Sequence, residues 1–359
     1  MSHLQHLDLN PFIHFFQDDM DDFISVLKEL GELNSVQCQW QAIDMDLLLD
    51  ALPPLKRIDF DADAFWTPAV GRLLLRSIDT LEYFAAAEYD ELEDFFALSN
   101  VQGRVWPRMR DLEVSVVGSL SIIHAFPSLA RLSITSDPPY PADILWDQSL
   151  IRDVEQLSFC ISGPLPDVSR RGDAVRAVPH LSLEVGLDPE ADFSYHDFDA
   201  VLRCFALRSL RSLCIEVWSS PGALSAILAA LPTLLEGCSC LCYFGLRSDE
   251  SGEDVNPFHL ISSFFGSTSN ARRLKFINLD MRGYRVYSAT DTLPAVRAHL
   301  ASVILSSFAD NETLRVVQSA GSSWKRRRVA GCGEVREDDV DASNGLPWSL
   351  SDIAELVDA

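Results

Sequence analysis

Along this 359-residue chain one six-residue pattern returns twelve times: an apolar residue, two of any kind, a second apolar residue, one of any kind, then a third. It begins in "LQHLDLN" as Leu4-Leu7-Leu9. It recurs as Leu33-Val36-Cys38, Leu55-Ile58-Phe60, Ile78-Leu81-Tyr83, Met109-Leu112-Val114 and Leu129-Leu132-Ile134. The second half carries Val154-Leu157-Phe159, Val178-Leu181-Leu183, Leu210-Leu213-Ile215, Cys238-Leu241-Tyr243 and Ala271-Leu274-Phe276, and the last copy puts Asn311 ahead of Leu314 and Val316. Alternation within each copy places its last two apolar side chains on one face of a short strand. With 47% of residues apolar, three fixed positions match by chance in roughly one window in ten, so the pattern needs support. The middle position is Leu in ten of the twelve copies, whereas Leu is about one residue in seven overall.

The gaps give a second argument. Helix-like segments occupy Asp44–Leu52, Leu120–Phe126, Ile144–Ile151, Asp197–Leu207, Ala223–Leu235, Pro257–Phe265 and Pro294–Phe308. Several show apolar spacing of three and four, as at Val201, Leu202 and Phe205, and several stop near Pro, Gly or Ser. Alternating strands and helices imply parallel strands joined by right-handed crossovers. Middle positions lie 20 to 40 residues apart, bracketing the leucine-rich-repeat period and overrunning it late in the chain. The fold class expected is therefore α/β: an irregular leucine-rich-repeat solenoid, a right-handed βα superhelix with a curved parallel sheet on its concave face and helices on its convex face. The Asn that closes such strands follows the first copy and is rare afterwards, which predicts irregular loops. A doubly wound nucleotide fold is disfavoured because no Gly-rich turn follows an early strand.

The solenoid is expected over residues 1–320. Residues 321–347 are expected as a polar loop, basic at Lys325-Arg326-Arg327-Arg328 and then acidic. Residues 348–359 form an amphipathic helix with Trp348, Leu350, Ile353, Leu356 and Val357 on one side and Ser349 or Ser351 as cap, serving as a cap on the last repeat or as a docking segment.

Chemistry is sparse. Fifty-three acids against 29 bases give a net charge of −24, a field that repels phosphate backbones and anionic membranes. No apolar run reaches the ~18 residues of a membrane helix, and the first residues lack the pattern of a secretory signal, so a cytoplasmic or nuclear location is expected. The basic run reads as a strand or turn in preference to a localisation signal. Cys238, Cys240 and Cys242 would share one face of a strand, but a closed metal site needs a fourth ligand, so no metal and no cofactor are expected. No phosphate loop, nucleophile elbow or HExxH is present. The acidic stretches Asp188–Asp199 around His196 and Gln17–Asp22 precede helices, where acids suit the helix dipole. Asn311-Glu312-Thr313 matches a glycosylation sequon without serving as one inside a cell. No catalytic residue is assigned.

A solenoid offers a surface instead. Residues beside each middle position face outward on the concave side: Arg57, Asp59, Asp61, Glu82, Asp111, Glu113 and Arg131 first, then Gln156, His180, Glu184 and Glu216, then Arg273, Lys275 and Arg315. That face is expected to be acidic for two-thirds of its length and basic at its end, with Phe84 and Trp218 as aromatic anchors. The segments "FPSLARLSITSD", "LRSLRSLCIEVW" and "NARRLKFINLDM" resemble the leucine-rich regions of F-box proteins of mushroom-forming fungi. The resemblance implies a non-catalytic scaffold for protein partners, the substrate-recognition part of a ubiquitin-ligase component, with a Skp-type adaptor bound through an F-box. No F-box segment precedes the first repeat, and the expectation is that an N-terminal element such as an F-box or capping helix is missing ahead of "LQHLDLN". The alternatives are an intracellular α/β hydrolase or transferase, and a truncated product without function.

Overall fold

The computed structural model describes residues 4–8, 20–38, 45–60, 67–86, 98, 101–114, 120–134, 154–161, 177–185, 202, 205–218, 223–248, 273–281, 293–319, 322–329, 332–339 and 345–359. They belong to two compact units, Met1–Val154 and Glu155–Ala359.

In the first unit, β1 (His6–Asp8), β2 (Ser35–Cys38), β3 (Arg57–Phe60), β4 (Tyr83–Ala86), β5 (Asp111–Val114) and β6 (Arg131–Ile134) pair side by side in chain order, every pair parallel. Parallel neighbours need crossovers, supplied here by α1 (Met20–Lys28), α2 (Met45–Ala51), α3 (Pro68–Arg76) and a 3-10 turn at Leu120–Ala125. Helix α3 starts with Pro68 in its first turn and buries Val70, Leu73 and Leu74. Trp106, 1% exposed, donates its indole N–H to the Leu74 carbonyl (3.1 Å) and so satisfies one of the acceptors that end α3. Asp50 of α2 grips Arg72 of α3 with two hydrogen bonds (2.8 and 2.6 Å).

The second unit continues the plan with β7 (Gln156–Ile161), β8 (His180–Val185), β9 (Ser212–Val217), β10 (Tyr243–Ser248), β11 (Phe276–Met281) and β12 (Val316–Ser319), again parallel in chain order. Helix α4 (Ala223–Gly237) links β9 to β10, and α5 (Leu293–Asp310) links β11 to β12. Each unit is thus an α/β row of leucine-rich-repeat type, strands on one side and connecting helices or turns on the other. Residues 144–151, 257–265 and most of 197–207, where further helices are expected, lie outside the described residues. Helix α3 falls where no helix is expected.

A backbone clamp recurs along both rows, reduced to one amide (His180 to Glu155 O) where Pro179 has no N–H to give. The carbonyl two residues before the buried middle residue accepts two amides from the next repeat: Asn34 O from Lys56 and Arg57, Lys56 O from Glu82 and Tyr83, Arg211 O from Cys242 and Tyr243, Lys275 O from Arg315 and Val316. Side chains tie other rungs. Thr80 Oγ1 donates to Leu55 O (2.7 Å) and Thr313 Oγ1 to Leu274 O (2.9 Å), from equivalent places in their repeats. Asn311 is buried and accepts from the Thr313 amide (3.0 Å), so the sequon is a structural turn.

Register corrects four of the twelve repeats. Phe84 pairs with Ile58 and Leu112, so the frame of that repeat is Leu81-Phe84-Ala86, three residues later than the sequence frame, with Leu81 and Phe84 buried. Likewise Phe244, Ile277 and Val317, not Leu241, Leu274 and Leu314, share a row with Leu213. The cause is a further apolar or turn residue three places earlier, as at Cys238 before Leu241, which lets the pattern be placed one step too soon. The slip succeeds only where the outward residue before the middle position is apolar: Tyr83, Tyr243, Phe276 and Val316.

The C-terminal region also departs from expectation. Within residues 321–347, expected as a polar loop, β13 (Ser322–Val329) pairs antiparallel with β12, and β14 (Cys332–Asp339) with β13. The basic run is the middle of β13, with Arg327 opposite Glu334. Arg326 reaches back to the carbonyls of Phe308 and Asn311 at the end of α5, and to Leu314 O (3.1 Å). A guanidinium there satisfies the last acceptors of a helix and complements its dipole. Helix α6 (Leu350–Asp358) follows, with the Ser349 side chain accepting from the Asp352 amide.

Candidate functional site

Side-chain alternation gives each row of strands an outward face of straight columns. In the first unit one column runs His6, Ser35, Arg57, Tyr83, Asp111, Arg131, and the next runs Asp8, Gln37, Asp59, Ala85, Glu113, Ser133. Their contacts run both along and between strands. His6 Nδ1 is 3.0 Å from Ser35 Oγ. Arg57 bonds Asp59 (2.9 Å) while its guanidinium lies 3.5 Å above the Tyr83 ring. Tyr83 donates its hydroxyl to Glu113 (3.3 Å), and Arg131 Nε stands 3.2 Å from Asp111 Oδ1. These contacts hold long side chains in one arrangement before any ligand arrives.

Electrostatics on this face are unbalanced. Burial pushes the Glu113 carboxyl up, with Asp59 adding to the shift and Tyr83 and Arg57 opposing it. Burial also raises Asp111, against the pull of Arg131, Arg57 and Arg110. Four carboxylates (Asp8, Asp59, Asp111, Glu113) share the columns with two guanidiniums. Carboxylates held partly out of water gain from an added cation more than exposed ones do.

Of the expected face residues, Arg57, Asp59, Asp111, Glu113 and Arg131 are brought together here. Glu82 sits one residue before its column, where its carbonyl serves the backbone clamp. Asp61 lies outside the described residues. Phe84 is not an anchor: it is 2% exposed and packs edge-on against Phe60, 6.3 Å between centroids. Residues missed by the sequence frame are His6, Asp8, Ser35, Gln37, Tyr83, Ala85 and Ser133.

The second unit has a different face. Its columns run Gln156, His180, Ser212, Tyr243, Phe276, Val316; Ser158, Ser182, Cys214, Gly245, Asn278, Gln318; and Cys160, Glu184, Glu216, Arg247, Asp280. Arg273, Lys275 and Arg315 lie before these columns on the entering loops, so the expected basic end of the face is instead apolar. Arg315 donates to Glu312 O (2.9 Å) and Arg273 to Cys240 Sγ (3.8 Å). Glu216 pairs with Arg247 (3.2 Å), and Glu184 neighbours it in the same column. Trp218 is half-buried just past β9, its amide bonded to Val185 O.

What covers this face is the C-terminal segment. Ile353 and Val357 of α6 form one buried cluster with Cys214 and Tyr243, flanked by Cys242, Phe276, Leu346 and Leu356. Helix α6 therefore lies on the strands and packs against β7, β8 and β9; it does not close the last repeat, whose strand β12 is paired by β13 instead. His180, expected as an exposed contact, is 4% exposed and 2.9 Å from Ser212 Oγ, and burial lowers its imidazole pKa.

The cysteine triplet is not one strand. Cys238, Cys240 and Cys242 occupy the turn between α4 and β10, and burial pushes the Cys238 thiol up to about 12. Among the described residues no group of three His, Cys, Asp or Glu could hold a metal ion, and no helix is long and apolar enough to cross a membrane.

No family model matches the sequence, and no curated protein matches it. Among solved structures, an internalin from Listeria monocytogenes is similar at 14% identity over 82% of each chain, with a TM-score of 0.33. A score of that size does not establish a shared fold; the architecture rests on the strand pairing above.

Proposed function

We propose that this chain is a non-catalytic scaffold that binds a protein partner through the outward strand face of its first unit. The carrying observation is the chain Asp59–Arg57–Tyr83–Glu113, which runs from β3 through β4 to β5 and fixes a polar, net acidic surface on which burial raises the Glu113 carboxyl. Such a face suits a partner segment bearing Lys or Arg. Its aromatic and guanidinium groups are the residue types that dominate binding at protein interfaces.

Within that class, the resemblance of "FPSLARLSITSD" and its fellows supports the substrate-recognition part of an F-box-type ubiquitin-ligase component, acting in the cytoplasm or nucleus. Its Skp-type adaptor would require an F-box. Quantitative affinity capture with the whole chain, repeated with Asp59→Arg and Glu113→Arg, tests the scaffold reading. Partners lost from both variants, with an unchanged far-UV circular dichroism spectrum, support it; equal recovery refutes it. Partners retained without any Skp-type adaptor would remove the ubiquitin-ligase reading alone.

A further inference from the structure

The second unit's face is shaped around its occupant. Gly245 stands mid-strand, where glycine weakens a sheet and signals close approach of another group. A Cβ there would fall 3.0 Å from Cζ3 of Trp348. The indole occupies that gap, and the Arg247 guanidinium lies 4.3 Å from its ring. Asn278, fully buried in the same column as Gly245, donates to Leu346 O (3.2 Å), and Tyr243 donates its hydroxyl to Pro347 O. Gln318 accepts from the Leu346 amide (2.5 Å). At the far end Arg211 pairs with Asp358 (2.5 Å).

Every polar contact named between this segment and the strands runs through a strand side chain. Among the described residues, no backbone-to-backbone hydrogen bond joins residues 345–359 to the sheet, and the segment's own backbone bonds close within it. It carries its own N-cap at Ser349. Lifting it away would leave the strand pairing whole, while exposing Tyr243, Phe276 and Cys214. A nine-residue helix is marginal alone, so the segment is ordered by its seat.

We propose that this face is a binding site for a tryptophan-anchored, acidic amphipathic helix, held closed in cis by residues 346–358. A protein segment carrying Leu-Pro-Trp followed by a helix with the same apolar spacing takes it over when the tail detaches. The proposal concerns a different surface from that of the first unit and does not rest on it.

A fluorescent peptide of residues 345–359 is the probe, titrated into the whole wild-type chain and into Trp348→Ala. The variant should bind it saturably and at least about tenfold more tightly than wild type, because its own tail competes less well; the same peptide with Ala for Trp should not bind. Hydrogen exchange on the wild-type chain gives an independent reading that needs no variant. Amides of α6 should exchange much faster than those of β8 to β11, as a segment that opens alone does. Equal protection of helix and strands, or equal peptide binding by both chains, would overturn the proposal. A concentration-dependent dimer abolished by Trp348→Ala would also overturn it, assigning the face to tail exchange between copies.

Discussion

Adjacent residues Phe84 and Tyr83 test the corrected frame, because moving it by three residues exchanges their roles. In the structure Phe84 is core, 2% exposed, with its ring 6.3 Å from Phe60 at 88°. Phe84→Ala removes most of a buried side chain and leaves a cavity between β3 and β5, a loss of about 3–5 kcal/mol. Tyr83→Phe keeps the ring under Arg57 and deletes only the hydroxyl that donates to Glu113 at 3.3 Å, about 1 kcal/mol. Urea unfolding followed by far-UV circular dichroism separates the two. With a slope of about 2 kcal/mol/M, the first midpoint falls by about 2 M and the second by about 0.5 M. Repeat arrays unfold in steps, so the comparison applies to the transition of the first unit. If Phe84→Ala cost under about 1 kcal/mol, or less than Tyr83→Phe, the argument that places Leu81 and Phe84 in the core would be wrong.

Because burial lowers the His180 pKa below 6.5, the unfolded chain binds the proton more readily. Stability of the second unit should therefore decline as pH falls through about 6.5, until the folded imidazole also titrates. His180→Asn, whose side chain can still meet Ser212, should flatten that decline in thermal melts; an unchanged slope would remove His180 as its source. Glu113 has the opposite sign: its raised pKa means stability present below 4.5 is lost as pH rises through the folded value. Glu113→Gln should thus be more stable than wild type near neutrality, with the advantage vanishing in acid, and a constant difference across pH would contradict this. Gly245→Ala places a Cβ 3.0 Å from Trp348, 3.1 Å from Cys214 Sγ and 3.3 Å from Tyr243 Cε1. Overpacking of about 1–3 kcal/mol is expected, offset by about 0.5–1 kcal/mol from glycine's unfolded freedom. A double-mutant cycle with Trp348→Ala should show coupling above about 0.5 kcal/mol, and simple additivity would mean the two do not meet.

The alternation of strand and helix was legible in sequence because burial imposes a three-residue step, then a two-residue step, on every repeat. Eight frames could be placed correctly, since polar residues such as Arg57, Asp111 and Arg131 mark the outward position. The other four could not. Tyr83 looks apolar in pattern although Glu113 and Arg57 engage it, while Tyr243 and Phe276 are apolar because the C-terminal segment packs on them, and Val316 continues their column. That covering is a contact between residues about a hundred positions apart, as between Tyr243 and Pro347, and no local pattern contains it. The amphipathic character of 348–359 announced that the helix docks, not where. Gly245 carried the clearest hint, an unexplained glycine in mid-strand. The basic run reads in sequence as a strand or turn, and it is a strand; what charge hid was its acidic partner β14, which pairs with it across a ladder.

Site-specific photo-crosslinking tests the central claim most directly, because it reports which face a partner touches. A photoreactive residue at Ser133, in an outward column of the first unit, should yield discrete partner adducts in cell extract. The same residue at Leu47, exposed on α2 among the connecting helices, should not. Adducts at Leu47 without adducts at Ser133 would place binding on the helical side and contradict the account.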